Sequence, residues 1–379
     1  MIREAAASGE PLLVQGRGTK LGMLRPVQAA RNLSTRELTG VTLYSPQELI
    51  ISARAGTTVV DVEAKLAEGG QHLIAEPPNL SGLLGEGLAT IGGVVASNMS
   101  GPRRVAWGAM RDHVMGVRAI NGAGETIRSG GRVLKNVTGL DLCKLLSGSH
   151  GTLAVITEVT LKVLPAPELT GSLMWTVPDA GEAVRLLSAA LGSPFGVSGA
   201  AYLPAEAAER VPALAGSGGV AVARIEDFAE SVDYRLGRLA ESLGGTRVED
   251  EPSRGLWQAI RDAVPLRTAP GDAVWRVSVR PSKGPAALNA IVAAGGRGFL
   301  DWGGGLVWAA GAPDLHGRVV AAALAGGGTW TVLRAPEGMR ASVDVVPPEP
   351  EALARITRRV KAAMDPHGVL NPGRLYAGL

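Results

Sequence analysis

Up to residue 163 the chain alternates short apolar runs with glycine-rich turns. Within residues 155–163 polar and apolar side chains alternate, which is the period of two expected of a half-buried strand. Other short apolar runs with the composition of strands occupy residues 12–14, 49–53 and 117–120. The first part of the chain is therefore predicted to be rich in short strands joined by turns.

One helical pattern interrupts these strands, at residues 58–69. Val59, Val62 and Leu66 recur at the spacing of one helix face, and two glycines follow at Gly69 and Gly70. Glycine is a common helix stop, so the pattern predicts an amphipathic helix that ends there.

A proline-rich break at residues 165–167 changes the pattern. Beyond it, longer strand and helix patterns alternate, with Asp179 placed to cap the first helix. This alternation predicts a sheet with helices on one face, as in an α+β domain. The predicted strands are residues 171–177, 197–203, 220–225 and 275–279, and the predicted helices are residues 179–191 and 230–243.

A second proline-rich break at residues 347–350 precedes a helix pattern at residues 351–364, which ends at the turn 365–368. The two breaks divide the chain into three segments. We predict a first domain at residues 1–164, a second at 165–346 and a C-terminal segment at 347–379.

Composition excludes several classes of protein. Of the 379 residues, 46% are apolar and 19% are charged, which is enough apolar material for a core and excludes a disordered chain. The net charge is +3 and no block of basic residues is present, so there is no sign of a nucleic-acid-binding tail. No apolar run approaches the roughly 20 residues that span a bilayer, and the N-terminus lacks the apolar segment of a secretory signal. One cysteine, Cys143, excludes an internal disulfide or a cysteine-ligated iron–sulfur cluster within this chain. We expect a soluble, cytoplasmic protein.

Three glycine-rich stretches are candidates for ligand binding. The first, residues 16–20, follows a strand, and its glycines allow backbone N–H groups to approach a diphosphate while Thr19 adds a hydroxyl. Its spacing matches neither a P-loop nor a Rossmann turn, so a short glycine-rich hairpin remains an alternative. The third stretch, residues 147–158, is a turn rich in glycine and serine that is followed directly by a strand. Two interpretations remain: the turn contacts a nucleotide, or it only leads the chain into the strand.

The second stretch, residues 89–101, has small residues at almost every position. Tight helix–strand packing explains Gly92 and Gly93, but it does not explain the polar residues that accompany them. These polar residues, which favour ligand contact, are Thr90, Ser97, Asn98 and Ser100.

The three stretches, in this order and with residues 131–142 between them, resemble the FAD-binding domain of the vanillyl-alcohol oxidase (PCMH) type. The C-terminal residues 365–374 resemble the closing motif of its D-lactate and glycolate dehydrogenase branch. Finer similarities to the FAD-binding (E) subunits of bacterial glycolate oxidases lie at residues 101–104, 275–279, 300–308 and 371–377. The resemblance implies an α+β fold: a two-subdomain FAD-binding domain, an α+β, ferredoxin-like cap domain, and a C-terminal segment that returns to the FAD domain.

The resemblance also implies which residues contact FAD. Gly16, Gly18 and Thr19 would hold the pyrophosphate, and Asn371 would reach the flavin ring from the C-terminal segment. Residues implied along the ADP half are Gly151, Thr152 and Ile156. Residues implied along the ribityl chain and flavin are Thr90, Gly92, Gly93, Ala96 and Gly101, and Pro78 is a further implied contact. Members that tether the flavin carry a histidine in the first glycine loop, which here has none, so we expect non-covalent FAD.

Catalytic residues are harder to assign. Catalytic relatives carry a histidine cluster in the cap, whereas the five histidines here are not at ligand spacing, so we expect no metal site. Oxidation of a 2-hydroxy acid needs a cation for the carboxylate, and Arg104 and Arg276 are the candidates. Arg103 and Arg104 are either a cationic pair that offsets the charge of the cofactor or a solvated pair on a loop.

The implied function is that of an FAD-binding subunit of a multi-subunit glycolate (2-hydroxy acid) oxidase or dehydrogenase. The implied partners are a homologous FAD-binding catalytic subunit and an iron–sulfur subunit, through which the complex would lie at the periphery of the inner membrane. Two alternatives remain: a stand-alone FAD-dependent 2-hydroxy acid dehydrogenase, and a cofactor-free structural subunit.

Overall fold

The structure, a computed structural model, describes residues 1–131, 140–266 and 268–379, so most of the sequence stretch 131–142 lies outside the described residues. The helices are α1 (Ile2–Ser8), α2 (Val59–Ala67), α3 (Ser81–Leu84), α4 (Ile91–Ser97), α5 (Arg104–Trp107), α6 (Leu142–Leu146), α7 (Ala180–Leu191), α8 (Ala205–Ala208), α9 (Ala229–Leu243), α10 (Asp250–Arg261), α11 (Gly284–Ala293), α12 (His316–Ala325), α13 (Glu337–Ser342) and α14 (Glu351–Met364). The strands are β1 (Leu12–Gln15), β2 (Arg31–Ser34), β3 (Val41–Ser45), β4 (Ile50–Arg54), β5 (Gln71–Leu73), β6 (Val114–Asn121), β7 (Thr126–Gly130), β8 (Ala154–Pro165), β9 (Leu169–Thr176), β10 (Gly199–Leu203), β11 (Val220–Asp227), β12 (Thr246–Val248), β13 (Ala273–Ser278), β14 (Arg297–Asp301), β15 (Leu306–Gly311) and β16 (Thr329–Arg334).

These elements form two compact units. The first unit contains residues 1–100, 109–166 and 340–379, and the second contains residues 101–108 and 167–339. The C-terminal segment thus belongs to the first unit. Residues 101–108, which the sequence-based division left in the first domain, belong to the second unit instead.

The first unit is built on an antiparallel sheet in the order β3-β4-β8-β6-β7, with β5 paired to the far end of β8. Side chains of β8 alternate between buried and partly exposed from Val159 to Val163, as the period of two predicts. The predicted helix over residues 58–69 is α2, and Thr58 caps it by accepting a hydrogen bond from the backbone N–H of Asp61 at 3.1 Å.

A smaller parallel pair, β1 and β2, adjoins the C-terminal segment in the same unit. The backbone N–H of Leu12 donates to the Val369 carbonyl at 2.7 Å, and the N–H of Asn371 donates to the Leu12 carbonyl at 3.1 Å. Leu12, Leu370 and Val155 are buried together in one apolar cluster. Residues close to the C-terminus therefore complete the structure around the first strand of the chain.

The second unit is an eight-stranded antiparallel sheet in the order β12-β9-β11-β10-β14-β15-β13-β16. Helices α7, α9, α11 and α12 pack against it. Asp179 caps α7 as predicted, because its carboxylate accepts from the Glu182 N–H at 2.9 Å. The prediction that the helices share one face is wrong for α10. Gly171 faces α9, but the next residue on the strand, Ser172, accepts a hydrogen bond from Trp257 of α10 at 2.8 Å, and successive strand residues point to opposite faces.

A buried ion pair holds the C-terminal turn in place. The Lys361 ammonium donates to the Asp365 carboxylate at 2.7 Å and to the backbone carbonyls of Thr152 at 2.7 Å and Leu370 at 2.9 Å. Asp365 in turn accepts from the backbone N–H groups of Val369 at 3.1 Å and Leu370 at 2.8 Å. Every polar partner in this network is a buried group, so the network is sensitive to the loss of any one member.

We therefore expect Asp365→Ala to destabilise the protein by about 3 kcal/mol, because it leaves the Lys361 ammonium buried without its carboxylate. Urea unfolding followed by circular dichroism measures this loss. As a control, Glu351→Ala removes an exposed ion pair with Arg358 on α14 and is expected to change the unfolding midpoint little. Equal midpoints for the two variants would contradict a structural role for the Asp365 network.

Candidate functional site

A cleft with a volume of about 770 Å³ lies within the first unit, where the end of β1, the loop after it, α4, the start of β8 and the C-terminal segment meet. Its lining residues are Leu13, Val14, Gln15, Gly16, Arg17, Gly18, Thr19, Lys20, Leu21, Thr35, Ala55, Thr90, Gly92, Gly93, Ala96, Ser97, His150, Gly151, Ala154, Val155, Ile156, Asn371 and Arg374.

Most of the site residues predicted from the sequence line this cleft. They are Gly16, Gly18, Thr19, Thr90, Gly92, Gly93, Ala96, Gly151, Ile156 and Asn371. Three do not. Pro78 lines a smaller pocket beside Thr19 and Lys20, Thr152 is buried with its hydroxyl donating to the Ser149 carbonyl at 2.7 Å, and Gly101 belongs to the second unit.

The small residues of the second glycine stretch have two different roles. A Cβ added at Gly92 would lie 2.6 Å from the Ala55 Cβ, so Gly92 allows α4 to pack closely on the end of β4. A Cβ at Gly93 would instead have the Thr90 hydroxyl at 3.2 Å and the Lys20 ammonium at 3.8 Å. Gly92 is thus explained by packing, whereas Gly93 keeps space open in the cleft next to a cation.

Thr90, which the sequence predicts as a ligand contact, also has a structural role. Its hydroxyl caps α4 by accepting a hydrogen bond from the Gly93 N–H at 3.2 Å. A Cβ at Gly16 would lie 2.5 Å from this hydroxyl, so the first glycine of the β1 loop is needed for the close approach of that loop to α4. Gly18 has φ +78°, a left-handed backbone conformation that favours glycine.

Lys20 is one of three cationic side chains that line the cleft, together with Arg17 and Arg374. Burial lowers the pKa of its ammonium from 10.5 to about 8. Within the described residues the ammonium forms neither an ion pair nor a hydrogen bond with another side chain. A cation enclosed in a cleft without a protein counterion is suited to an anionic ligand, because the ligand supplies the missing opposite charge.

The loop that carries Lys20 is fixed by arginines from the C-terminal part of the chain. Arg374 donates to the carbonyls of Lys20 at 2.7 Å and Arg25 at 3.0 Å, and Arg340 donates to the carbonyl of Leu24 at 3.1 Å. Burial and the charge of Arg340 lower the pKa of Arg374 to about 10, so Arg374 remains a cation at neutral pH. The backbone of the loop is thereby fixed before any ligand binds.

His150 and Asn371 complete the opposite side of the cleft. Burial, with the nearby charges of Arg374 and Lys20, lowers the pKa of His150 to about 3, so its ring is neutral at physiological pH. Asn371 uses its amide to hold backbone: it accepts from the Val14 N–H at 2.7 Å and donates to the carbonyls of Val14 at 3.2 Å and His150 at 2.8 Å. Both donors of the Asn371 amide are thus occupied by the protein.

Lys20, His150 and Arg374 also line the cleft, and none of them was predicted from the sequence. Lys20 is the last residue of the first glycine stretch and Arg374 the last residue of the C-terminal motif, so a charged residue at the end of each ligand-binding stretch is a signal that would have found them. No comparable signal marks His150, because its lowered pKa results first from burial and then from two cations, Arg374 and Lys20, of which Arg374 is distant in sequence.

The arginines proposed for catalysis lie in the second unit. Arg103 is not the solvated loop residue or the cofactor contact that the sequence left open, because it forms a bidentate ion pair with buried Glu226, at 2.7 and 3.1 Å. Arg104 and Arg276 both lie over the ring of Trp302, at 4.4 and 5.0 Å from its centroid. On β13, Trp275 stacks with His316 while Arg276 lies beside Trp308, so the predicted alternation of this strand is observed.

The cleft fits the cofactor that the sequence resemblance implies. A dinucleotide carries a diphosphate, for which the structure offers the Lys20 ammonium and a glycine loop, and it needs the long side-chain-poor slot that Gly93 and Ala96 leave. Among the residues that the structure describes, no group of three or more histidine, cysteine, aspartate or glutamate side chains is arranged to hold a metal ion.

Comparisons with known proteins agree with this geometry. Residues 1–130 match the family model of an FAD binding domain. Over 379 residues, which is all of this chain and 96% of the relative, the sequence is 36% identical to the glycolate oxidase subunit GlcE of Escherichia coli K12. The chain belongs to the GlcE family of glycolate oxidase subunits.

Two further similarities extend the comparison. The glycolate oxidase subunit GlcD of Bacillus subtilis is 28% identical over 179 residues, covering 47% of this chain and 37% of that protein. A solved alkyldihydroxyacetonephosphate synthase aligns with 98% of this chain and 73% of its own at a TM-score of 0.69 and 16% identity, which concerns the fold alone. The predicted family and the α+β FAD-binding fold are confirmed, as is the prediction of an FAD-dependent oxidoreductase subunit, and the two alternatives are not favoured.

We expect Gly93→Trp to abolish retention of FAD, because an indole there would fill the space beside Lys20. The measurement is the flavin released per chain after purification and denaturation. Gly237→Trp is the matched control, since Gly237 is also helical but faces open space. A Gly93→Trp protein that folds and still carries one flavin per chain would show that the cofactor lies elsewhere.

The affinity for FAD should fall as the pH rises through about 8. The pKa of Lys20 is lowered in the free protein, and a bound anion raises it again. As the pH rises, the Lys20 ammonium of the free protein therefore loses its proton at a lower pH than that of the FAD complex. The expected loss is up to about ten-fold per pH unit above that point, with a constant affinity below it. Titration of apoprotein with FAD at several pH values measures this dependence.

Lys20→Met is the control, for which we expect weaker binding without this pH dependence. The stability of the wild-type apoprotein should change in the opposite direction, rising between pH 8 and 10.5 as the enclosed ammonium loses its proton. Wild-type affinity that stays constant to about pH 9.5 would contradict a contact between Lys20 and the cofactor.

Proposed function

We propose that this protein is the non-covalent FAD-binding subunit of a multi-subunit glycolate (2-hydroxy acid) oxidase. The observation that carries the proposal is the enclosed Lys20 ammonium beside Gly93, in a cleft that the glycine loop of residues 16–18 and the small residues of α4 line on one side. The full-length similarity to a glycolate oxidase subunit supports the choice of 2-hydroxy acid oxidation over other flavin chemistry.

The residues that would hold FAD follow from the cleft. Gly16, Gly18 and Thr19 offer backbone and hydroxyl donors to the diphosphate, and Lys20 neutralises its charge. Residues assigned to the rest of the cofactor are Gly93 and Ala96 along the ribityl chain and Gly151 and Ile156 along the ADP half. Asn371 acts by positioning, since its amide fixes the backbone of Val14 and His150 on the two sides of the cleft. When bound, FAD would supply a two-electron acceptor, able to take up one hydride equivalent (two electrons and one proton).

Substrate oxidation is assigned to a partner subunit. His150 is the histidine that lines the cleft, and its lowered pKa of about 3 makes it a poor base at neutral pH. The partner would be a homologous FAD-binding subunit with the catalytic base. Electrons would then pass to an iron–sulfur subunit, because the 379-residue chain has one cysteine, and this residue, Cys143, is buried with a raised pKa.

The complex is proposed to act in the cytoplasm, at the periphery of the inner membrane. Among the described residues, no helix is long and apolar enough to cross a bilayer. Contact with the membrane is assigned to the partner subunits that deliver electrons.

Anaerobic addition of glycolate separates these assignments. The isolated chain should carry flavin whose visible absorbance does not bleach, whereas the complex isolated from its native host should bleach rapidly. Rapid bleaching of the isolated chain, lost in Arg276→Ala, would instead indicate a stand-alone dehydrogenase. A chain that folds but never binds flavin would indicate a structural subunit. Either result would overturn the proposed division of labour.

A further inference from the structure

The charged side chains around the FAD cleft all have the same sign. Arg17, Lys20 and Arg374 line the cleft, and its described lining residues include no aspartate or glutamate. A bound diphosphate would balance these cations once the cofactor is present. Before the cofactor binds, the same cations are available to any small anion that enters the cleft.

Lys20 differs from the two arginines because its side chain can lose a proton close to neutral pH. Burial lowers the pKa of Lys20 to about 8, whereas burial and the charge of Arg340 lower that of Arg374 only to about 10. At pH 8, about half of the Lys20 side chains therefore carry a neutral amine. An enclosed lysine amine that is neutral near this pH is a nucleophile of the kind that forms Schiff bases with carbonyl compounds.

The Lys20 amine lies next to space that the protein leaves open. Its nitrogen is 3.8 Å from the position that a Cβ would take on Gly93, and glycine has no side chain to fill that position. Burial and the charges of Arg374 and Lys20 lower the pKa of His150, so these cations and the imidazole lie near one another. The cleft therefore combines a nucleophilic amine with guanidinium groups that can pair with a carboxylate.

We propose that Lys20 of the apoprotein forms an imine with a small acid that carries an aldehyde next to its carboxylate, namely glyoxylate. The carboxylate pairs with the arginines of the cleft, and the aldehyde carbon lies at the Lys20 nitrogen. The neutral amine adds to the aldehyde, and the carbonyl oxygen leaves as water with the two amine protons. A C=N bond replaces the C=O bond without any oxidant or reductant, and water reverses the reaction.

The identity of the aldehyde rests on the proposed function, because removal of two hydrogens from glycolate yields glyoxylate. The imine occupies the place where the FAD diphosphate would contact Lys20, so the imine and the cofactor exclude each other. The product of the complex therefore slows the loading of empty chains with FAD, while a loaded chain is protected from the product.

The test treats the full-length apoprotein with glyoxylate and cyanoborohydride, which reduces the imine to a stable carboxymethyl-lysine. Peptide mass spectrometry should find this group on Lys20 at least about ten-fold faster at pH 7.5 than on Lys283, an exposed lysine of the second unit. The rate at Lys20 should level off above about pH 8, where its amine is already neutral. In an unstructured lysine peptide, whose pKa is about 10.4, the rate should continue to rise.

Two controls use the wild-type chain alone. FAD added before glyoxylate should protect Lys20 and leave the rate at Lys283 unchanged. Acetaldehyde, which lacks a carboxylate, should react with both lysines at similar rates, because it makes no ion pair with the arginines of the cleft.

The effect on cofactor loading is measured as the rate of FAD binding. Glyoxylate added first should slow FAD binding to wild-type apoprotein at least about ten-fold, and its removal by dialysis should restore the rate. Lys20→Met should bind FAD at a rate that glyoxylate does not change. Lys283→Met is the matched control and should behave as the wild type does, and equal unfolding midpoints show that both variants fold.

The outcomes separate this inference from the proposed function. Equal labelling of Lys20 and Lys283, or labelling of Lys20 that FAD does not prevent, overturns the inference, whether or not the complex oxidises glycolate. If FAD-sensitive labelling of Lys20 is found but glycolate does not bleach the flavin of the complex, the proposed function fails and the imine site stands.

Discussion

The pairing of the C-terminal segment with the first strand is the constraint on which the site depends. The backbone N–H of Leu12 donates to Val369, its carbonyl accepts from the N–H of Asn371, and the buried Lys361–Asp365 ion pair fixes the turn between them. This pairing places the Asn371 amide on the backbone of β1, and Arg374 on the carbonyls of the glycine loop. Without it the cleft would lose one wall, and the loop that carries Lys20 would lose its hydrogen-bond partners.

The cleft is preorganised in backbone but unbalanced in charge. Arginines fix the loop through neutral carbonyls, so they stabilise its shape, while the Lys20 ammonium remains without a counterion among the described residues. Preorganised donors around Lys20 and Arg374, neither of which pairs with a carboxylate among the described residues, favour an anionic ligand, because binding needs little rearrangement and removes an electrostatic penalty. The neutral His150 adds polarity without adding charge.

Local sequence patterns predicted much of this structure, and the rest depends on contacts between residues that are distant in sequence. Alternation in residues 155–163 and the caps at Thr58 and Asp179 act within a few residues, so they can be identified in one segment. The roles of Lys20 and Arg374 depend on contacts between positions more than 350 residues apart, at 2.7 Å in the structure, which no local pattern reports. The assignment of residues 101–108 to the second unit is similarly a tertiary result, since the bidentate pair of Arg103 with Glu226 joins segments that are distant in sequence.

The discontinuity of the first unit has a consequence for biosynthesis. The ribosome synthesises residues 371–374 only after the whole second unit, yet these residues form a wall of the cleft and hold its loop. A nascent chain, or one shortened by a premature stop codon, therefore has no complete nucleotide pocket. Cofactor binding therefore has to wait until synthesis has passed through the second unit and returned to the first.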